Sequence, residues 1–173
     1  MKLCLSLFCL VLLTLCATPA QASGCLTDEQ LTTKMMPPDF YKASAACLNE
    51  NNYEQAIVLF AFSTSYLGYD MERIIDPKAE LRSSDLTTEA MISVNNEKAQ
   101  TFRTKFARTF RDPAKIEKIC VRVMKVGAPS YEIPTYLIVN QDNPAAEMMP
   151  ILNHKGTWMR ILERKLRCGI TKP

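Results

Sequence analysis

Four cysteines, Cys25, Cys47, Cys120 and Cys168, constrain this chain more than any other feature. They are what is left of seven once Cys4, Cys9 and Cys16 are set aside with a segment that reads as a secretory leader. Lys2 gives the positive start, residues 3–15 the apolar run, and Ala20-Gln21-Ala22 a small-residue cleavage site, so the cut is expected after Ala22. An even number of cysteines in a chain bound for an oxidising compartment predicts two disulfides. Three pairings are open and the sequence does not choose among them. The preferred one ties Cys25 in the N-terminal arm to Cys47 in the first helix and joins two late helices through Cys120 and Cys168. No Cys-x-x-Cys occurs, which argues against a thioredoxin-like redox site or a zinc knuckle.

The apolar run of the leader is too short to span a bilayer comfortably, and no later segment matches it. The expectation is a soluble protein, periplasmic or secreted. Cys16 raises a lipoprotein anchor as the competing reading, but Leu15 stands where a bacterial lipobox carries a small residue. The chain has no Asn-x-Ser/Thr sequon, which favours a bacterial envelope over a eukaryotic secretory route. Removing residues 1–22 leaves 151, one domain by size and enough to bury a core. Of the 21 basic residues 20 then remain against 18 acidic ones, a net +2 that singles out no polyanionic partner. Arg103, Lys105, Arg108 and Arg111 read as a solvated face, not a nucleic-acid site.

The organisation is an arm over 23–37 followed by one helical domain over 38–173. Pro37-Pro38 closes the arm, and Asp39 can cap a first helix running to about 50 with Phe40, Ala43, Ala46 and Cys47 on one stripe. Asn51-Asn52 breaks it. A second helix runs over about 53–67, with Ala56, Leu59, Phe60 and Ser63 on one face and Ile57 and Val58 widening it. So wide an apolar arc predicts burial on more than one side, with Gly68 as the end. Asp76-Pro77 and Asp112-Pro113 repeat the device of a cap followed by proline at the first helical position. They predict a helix over 77–94, with Ser83-Ser84-Asp85 as the place where it would break, and another after Pro113 that carries Ile116, Ile119, Cys120, Val123 and Met124 and stops near Gly127. Between them a helix over 96–110 carries Ala99, Phe102, Phe106 and Phe110, a stripe that reads as core. Two prolines five apart then rule out a regular helix over 129–139, so an extended segment or short strand is expected near 131–139. A turn at Asp142-Asn143-Pro144, a helical turn over 145–149 and a last helix over 157–168, with Trp158, Ile161, Leu162 and Leu166 inward, complete a mainly α bundle of about six helices.

Residues 41–67, YKASAACLNENNYEQAIVLFAFSTSYL, resemble one tetratricopeptide or Sel1-like hairpin. The first helix carries small residues, a two-residue turn follows, Tyr53 opens the second helix and Ala56 comes three later. Ala43, Ala46 and Ala56 let two antiparallel helices approach closely while Tyr53 fills the gap at the turn. A repeat should recur about 34 residues on. At that offset Thr87-Thr88-Glu89-Ala90 keeps an alanine opposite Ala56 and loses the tyrosine. The resemblance implies a helical hairpin, not an array. The remainder of the chain loosely resembles small exported bacterial proteins with such a hairpin near the N-terminus, which implies no residue-level function.

Chemistry has little material. His154 is the only histidine, so no histidine-based metal cluster forms and any catalytic triad would centre on it. It sits in Asn153-His154-Lys155-Gly156, a polar turn before the last helix. No nucleophile elbow, phosphate loop or zinc-protease motif occurs, and no cofactor or metal is expected. Asp70, Glu72 and Asp76 read as capping and solvated acids. A carboxylate-dependent hydrolase, the third choice, would need Asp70 or Glu72 buried in a pocket near Tyr131 or His154 with a raised pKa. Two segments are candidate partner-binding loops: one over 66–73 with Tyr66, Tyr69 and Met71, and a proline-stiffened one over 131–136 with Tyr131 and Tyr136. The expected function is protein binding without catalysis. An inhibitor or immunity protein against an envelope toxin or hydrolase comes first, a Sel1-like adaptor or assembly factor second.

Overall fold

The computed structural model describes residues 24–76, 78–138 and 148–169. The leader, its cleavage site, Pro77 and the turn expected at Asp142-Asn143-Pro144 lie outside the described residues. Six α-helices follow a short 3-10 turn, Asp28–Gln30: α1 Pro37–Asn49, α2 Tyr53–Met71, α3 Ala79–Ile92, α4 Asn96–Thr109, α5 Pro113–Val126 and α6 His154–Leu166. The protein is mainly helical, as the stripes predict, and no strand forms among the described residues. Both disulfides take the preferred pairing, Cys25–Cys47 and Cys120–Cys168.

The helix α2 is the axis of the fold. It packs on α1 along its length and also meets α3, α4, α5 and α6, which is why its sequence is apolar over so wide an arc. Phe62, Phe40, Tyr66, Trp158 and Tyr69 form a continuous aromatic series across α1, α2 and α6, centroid to centroid at 5.1 to 6.1 Å. The hydroxyls buried with them are satisfied locally, Ser44 donating to the Ala56 carbonyl at 2.9 Å and Ser63 to the Pro37 carbonyl at 2.8 Å, which spares the core an unpaired polar group.

Several boundaries differ from expectation, each for a physical reason. Pro37 and Pro38 open α1 instead of closing the arm, since proline at the first helical positions loses no hydrogen bond. Asp39 is therefore one turn inside, and its carboxylate reaches back to accept from the Met36 amide at 2.9 Å. The arm itself folds against the core through Leu26 and Leu31. Helix α3 begins two residues later than expected, and Asp76 accepts from the Lys78 amide at 2.8 Å. It runs unbroken through Ser83-Ser84-Asp85, where the Ser84 hydroxyl bonds back to the Leu81 carbonyl at 2.7 Å. Helix α6 begins at His154, earlier than expected, because Asn153 caps it by accepting from the Gly156 amide at 2.8 Å. Met148 pairs with Ile74 in an isolated antiparallel bridge, so the helical turn expected over 145–149 does not reach it.

The correction with most consequence is at Gly68. The helix does not stop there but continues to Met71. Gly68 is buried against α6, and a Cβ at this position would stand 3.2 Å from Ile161 Cγ2 and 3.1 Å from Lys165 Cε. The glycine thus serves close helix approach and not termination. Residues 66–71, expected in a loop, lie on the last turns of α2, where Tyr66, Gly68, Tyr69 and Asp70 are buried and Leu67 and Met71 half-buried.

Candidate functional site

Tyr66 and Tyr69 are enclosed, with 0 % and 1 % of their surface exposed. The Tyr66 hydroxyl donates to the Gly127 carbonyl at 2.9 Å and Tyr69 shares a 2.6 Å hydrogen bond with His154 Nδ1. Neither ring is presented to solvent, whereas Met71, Tyr131 and Tyr136 are half-buried. His154, expected in a turn, is the first residue of α6, and its ring pins that helix start to α2.

Of these residues, Tyr131 and Tyr136 converge on Asp70. It is enclosed in the last turn of α2, and its two oxygens each receive two donors. Oδ1 accepts from Arg73 Nε at 3.0 Å and Nη2 at 2.8 Å, and Oδ2 accepts from the hydroxyls of Tyr131 and Tyr136, both at 2.6 Å. Arg73 Nη1 donates to the carbonyls of Tyr131 at 3.2 Å and Glu132 at 2.8 Å, and its guanidinium lies over the Tyr131 ring at 5.2 Å. Residues 131–138 consequently form no strand. They are irregular to Pro134, then turn through Thr135, Tyr136 and Leu137 with the Leu137 amide on the Pro134 carbonyl at 2.9 Å.

Burial pushes the Asp70 carboxyl above the usual carboxylate range, against the pull of Arg73 and the two tyrosines. Burial likewise pushes the Tyr131, Tyr136 and Tyr66 phenols well above the usual range, with the Asp70 charge adding to it. Asp70 therefore meets part of the requirement set for a carboxylate enzyme: it is buried, beside Tyr131, with a raised pKa. The geometry gives it a different task, because four donors occupy the lone-pair directions that a water or substrate proton would need. Glu72 faces outward and pairs with Arg160 at 3.2 Å and Arg164 at 2.9 Å on α6. The Asp70 cluster is a clasp: it fastens the segment 131–138 to the end of α2.

A second feature comes from α4. Its stripe reads as core, yet Phe102 is the only one of Phe102, Phe106 and Phe110 that is fully buried; Phe106 and Phe110 stack at 4.4 Å and stay half-covered. The reason is α3, which packs mainly on α1 and leaves a gap toward α4. The gap is a groove of about 270 Å³ lined by Phe60, Thr87, Met91, Ala99, Phe102, Arg103 and Phe106. A second groove of about 280 Å³ lies on the other side of α3, between it and α1, lined by residues that include Tyr41, Lys42, Leu86 and Glu89. A third of about 440 Å³ separates the arm from α5 beside the Arg122–Asp28 ion pair. Asp70 lines none of these three. Sequence reasoning took the α4 stripe as core and missed the groove; α3 leaves Leu81 and Ile92 exposed, so little of its apolar surface is committed inward.

No family model, curated protein or solved structure matches the chain. Among the described residues no helix is long and apolar enough to cross a membrane.

Proposed function

We propose that the protein is exported to a bacterial periplasm and acts by binding another protein, as an inhibitor or immunity protein that neutralises an envelope-acting toxin or hydrolase. The observation that carries this reading is the half-covered phenylalanine stripe of α4. Stacked aromatic side chains at a groove mouth are the residue type that anchors protein interfaces, and leaving them partly in water costs stability unless something covers them. Two further features support it. The groups suited to chemistry, Asp70, Arg73, Tyr131, Tyr136, Tyr69 and His154, are engaged with one another. The two disulfides suit an oxidising compartment and hold a small scaffold rigid, which lowers the entropy lost on binding.

A Sel1-like adaptor is the second reading, and the groove between α1 and α3 favours it, since a hairpin scaffold would bind along its first helices. The test is to express residues 23–173 in a periplasm, use the oxidised protein as bait in envelope extract, and assay what it retains. One stoichiometric toxin or hydrolase whose activity falls on adding the protein supports the inhibitor. Many substoichiometric partners support the adaptor, and retention of a small molecule with no protein overturns both.

A further inference from the structure

We infer that the groove between α3 and α4 receives an acidic segment of the partner protein, with one large apolar side chain seated among Phe60, Met91, Phe102 and Phe106 and a carboxylate beside it on Arg103. This rests on the protein-binding reading and adds the chemistry of the partner.

The shape and lining of the groove favour this occupant. The cavity, about 270 Å³, lies at the small end for ligand sites, so it suits one or two side chains better than a cofactor. Its walls are phenylalanine, methionine, alanine and the face of Thr87, and Arg103 is the only charged side chain in its lining. Arg103 is exposed, and among the described residues its guanidinium bonds to the Gln100 side chain, at 3.5 Å. Across the stripe, Lys105 lies over the Tyr53 ring at 5.4 Å. Among the described residues neither has a carboxylate partner.

Charge is distributed unevenly along the chain. Residues 96–126, which make up α4, α5 and their connection, hold nine basic residues and three acidic ones, a net +6. The whole chain is +3, so everything outside this stretch sums to −3. A small overall charge thus hides this imbalance: α4, one wall of the groove, is net +3 and α3, the other, is net −2, so the attraction for a carboxylate is local to the α4 wall, where Arg103 lines the groove. Electrostatic complementarity of this kind steers an acidic partner and sets its register, while the apolar anchor supplies the affinity. A nucleic acid would use the charge but leave the phenylalanine and methionine lining idle.

The experiment selects a library of random short peptides on the oxidised protein, residues 23–173, and maps binding of the selected peptides by the methyl NMR signals of its methionines. The expected peptides combine Leu, Phe or Trp with Asp or Glu, shift the Met91 methyl, and bind more weakly as salt rises. Arg103→Glu, at an exposed position, should weaken them by at least about tenfold, and Lys155→Glu on α6 should not. Signals that move at Met124, Met149 or Met159 with Met91 unchanged overturn the groove while leaving the protein-binding reading in place. Uncharged apolar peptides, poly-glutamate or a single-stranded oligonucleotide binding Met91 as tightly overturn the acidic-anchor chemistry. Selection of no peptide overturns the groove as well, whereas failure of the broader reading shows separately as a bait that retains no protein.

Discussion

Tyr136 reaches back 66 residues to donate its hydroxyl to Asp70 Oδ2 at 2.6 Å. Tyr131 donates to the same oxygen at the same distance. One buried carboxylate oxygen therefore holds both ends of the segment 131–136, which Pro134 within it and Pro129 just before it keep out of a helix or a strand.

The shared oxygen makes the two tyrosines coupled. Tyr131→Phe and Tyr136→Phe should each cost about 1.5–3 kcal/mol, the range for hydrogen bonds to charged groups. The double variant should cost more than the sum by at least about 0.5 kcal/mol, because the first loss leaves Oδ2 one donor and the second leaves it none. Urea unfolding of the four proteins measures this. Strict additivity would mean that water enters and replaces the hydroxyls.

Asp70 and Arg73 form the charged half of the clasp, and removal of one partner strands the other. Arg73→Met should cost about 3–5 kcal/mol, with much of it recovered in Asp70→Asn combined with Arg73→Met. The pH dependence has a definite sign. Burial raises the folded-state pKa of Asp70, so the stability contributed by its protonation is present below its unfolded pKa of about 3.9 and is lost as pH rises through the folded value. Asp70→Asn should flatten that part of the stability profile between the two values, and an unchanged profile would assign it to other carboxylates.

The phenols give a second titration. Tyr66, Tyr131 and Tyr136 are held neutral by burial, so they should stay protonated above pH of about 10, where a free phenol ionises. For a raised pKa the contributed stability is complete below the unfolded value and falls as pH rises above it, so alkaline unfolding should release these protons together. Ultraviolet titration of phenolate, alongside far-ultraviolet circular dichroism, tests this. Ionisation of all six tyrosines before the loss of helix would contradict the burial.

Gly68 explains much of what was and was not legible in the sequence. Helix identity, the Asp112 cap and the Gly127 stop follow from local chemistry, and the structure has them, with Asp112 accepting from the Ala114 amide at 3.1 Å. A glycine carries no such local instruction: the same residue ends a helix or lets two helices touch, and only Ile161 and Lys165, nearly a hundred residues away, decide which. Reading it as a terminator put Tyr69 and Asp70 in a loop and hid the clasp. The half-covered stripe of α4 was hidden for a related reason, since periodicity reports that a face is apolar and not how closely a neighbour covers it.

The close approach itself is testable. Gly68→Ala brings a helix-propensity gain of up to about 1 kcal/mol against a Cβ that must displace buried Ile161, so its net effect should be small. Gly68→Leu has no such offset and should cost about 1–3 kcal/mol by overpacking α2 against α6. Thermal melts separate the two, and tolerance of leucine would show that α6 can shift outward.

The disulfides differ in what they restrain. Cys25–Cys47 closes a separation of 22 residues and Cys120–Cys168 one of 48; the chain-entropy model gives about 3 and about 4 kcal/mol for these loops. Paired Cys→Ala variants should follow that order, because the second bond also fixes the last turns of α6, where Ile161 and Lys165 face Gly68. Susceptibility to reductant should run the opposite way. Cys25 is half-exposed whereas Cys120 and Cys168 are buried, and attack on a disulfide needs access to one sulfur. Graded dithiothreitol followed by alkylation and mass spectrometry should show Cys25 and Cys47 modified first, with helix content retained. If Cys120 and Cys168 react first, the end of α6 opens more readily than its packing on α5 implies.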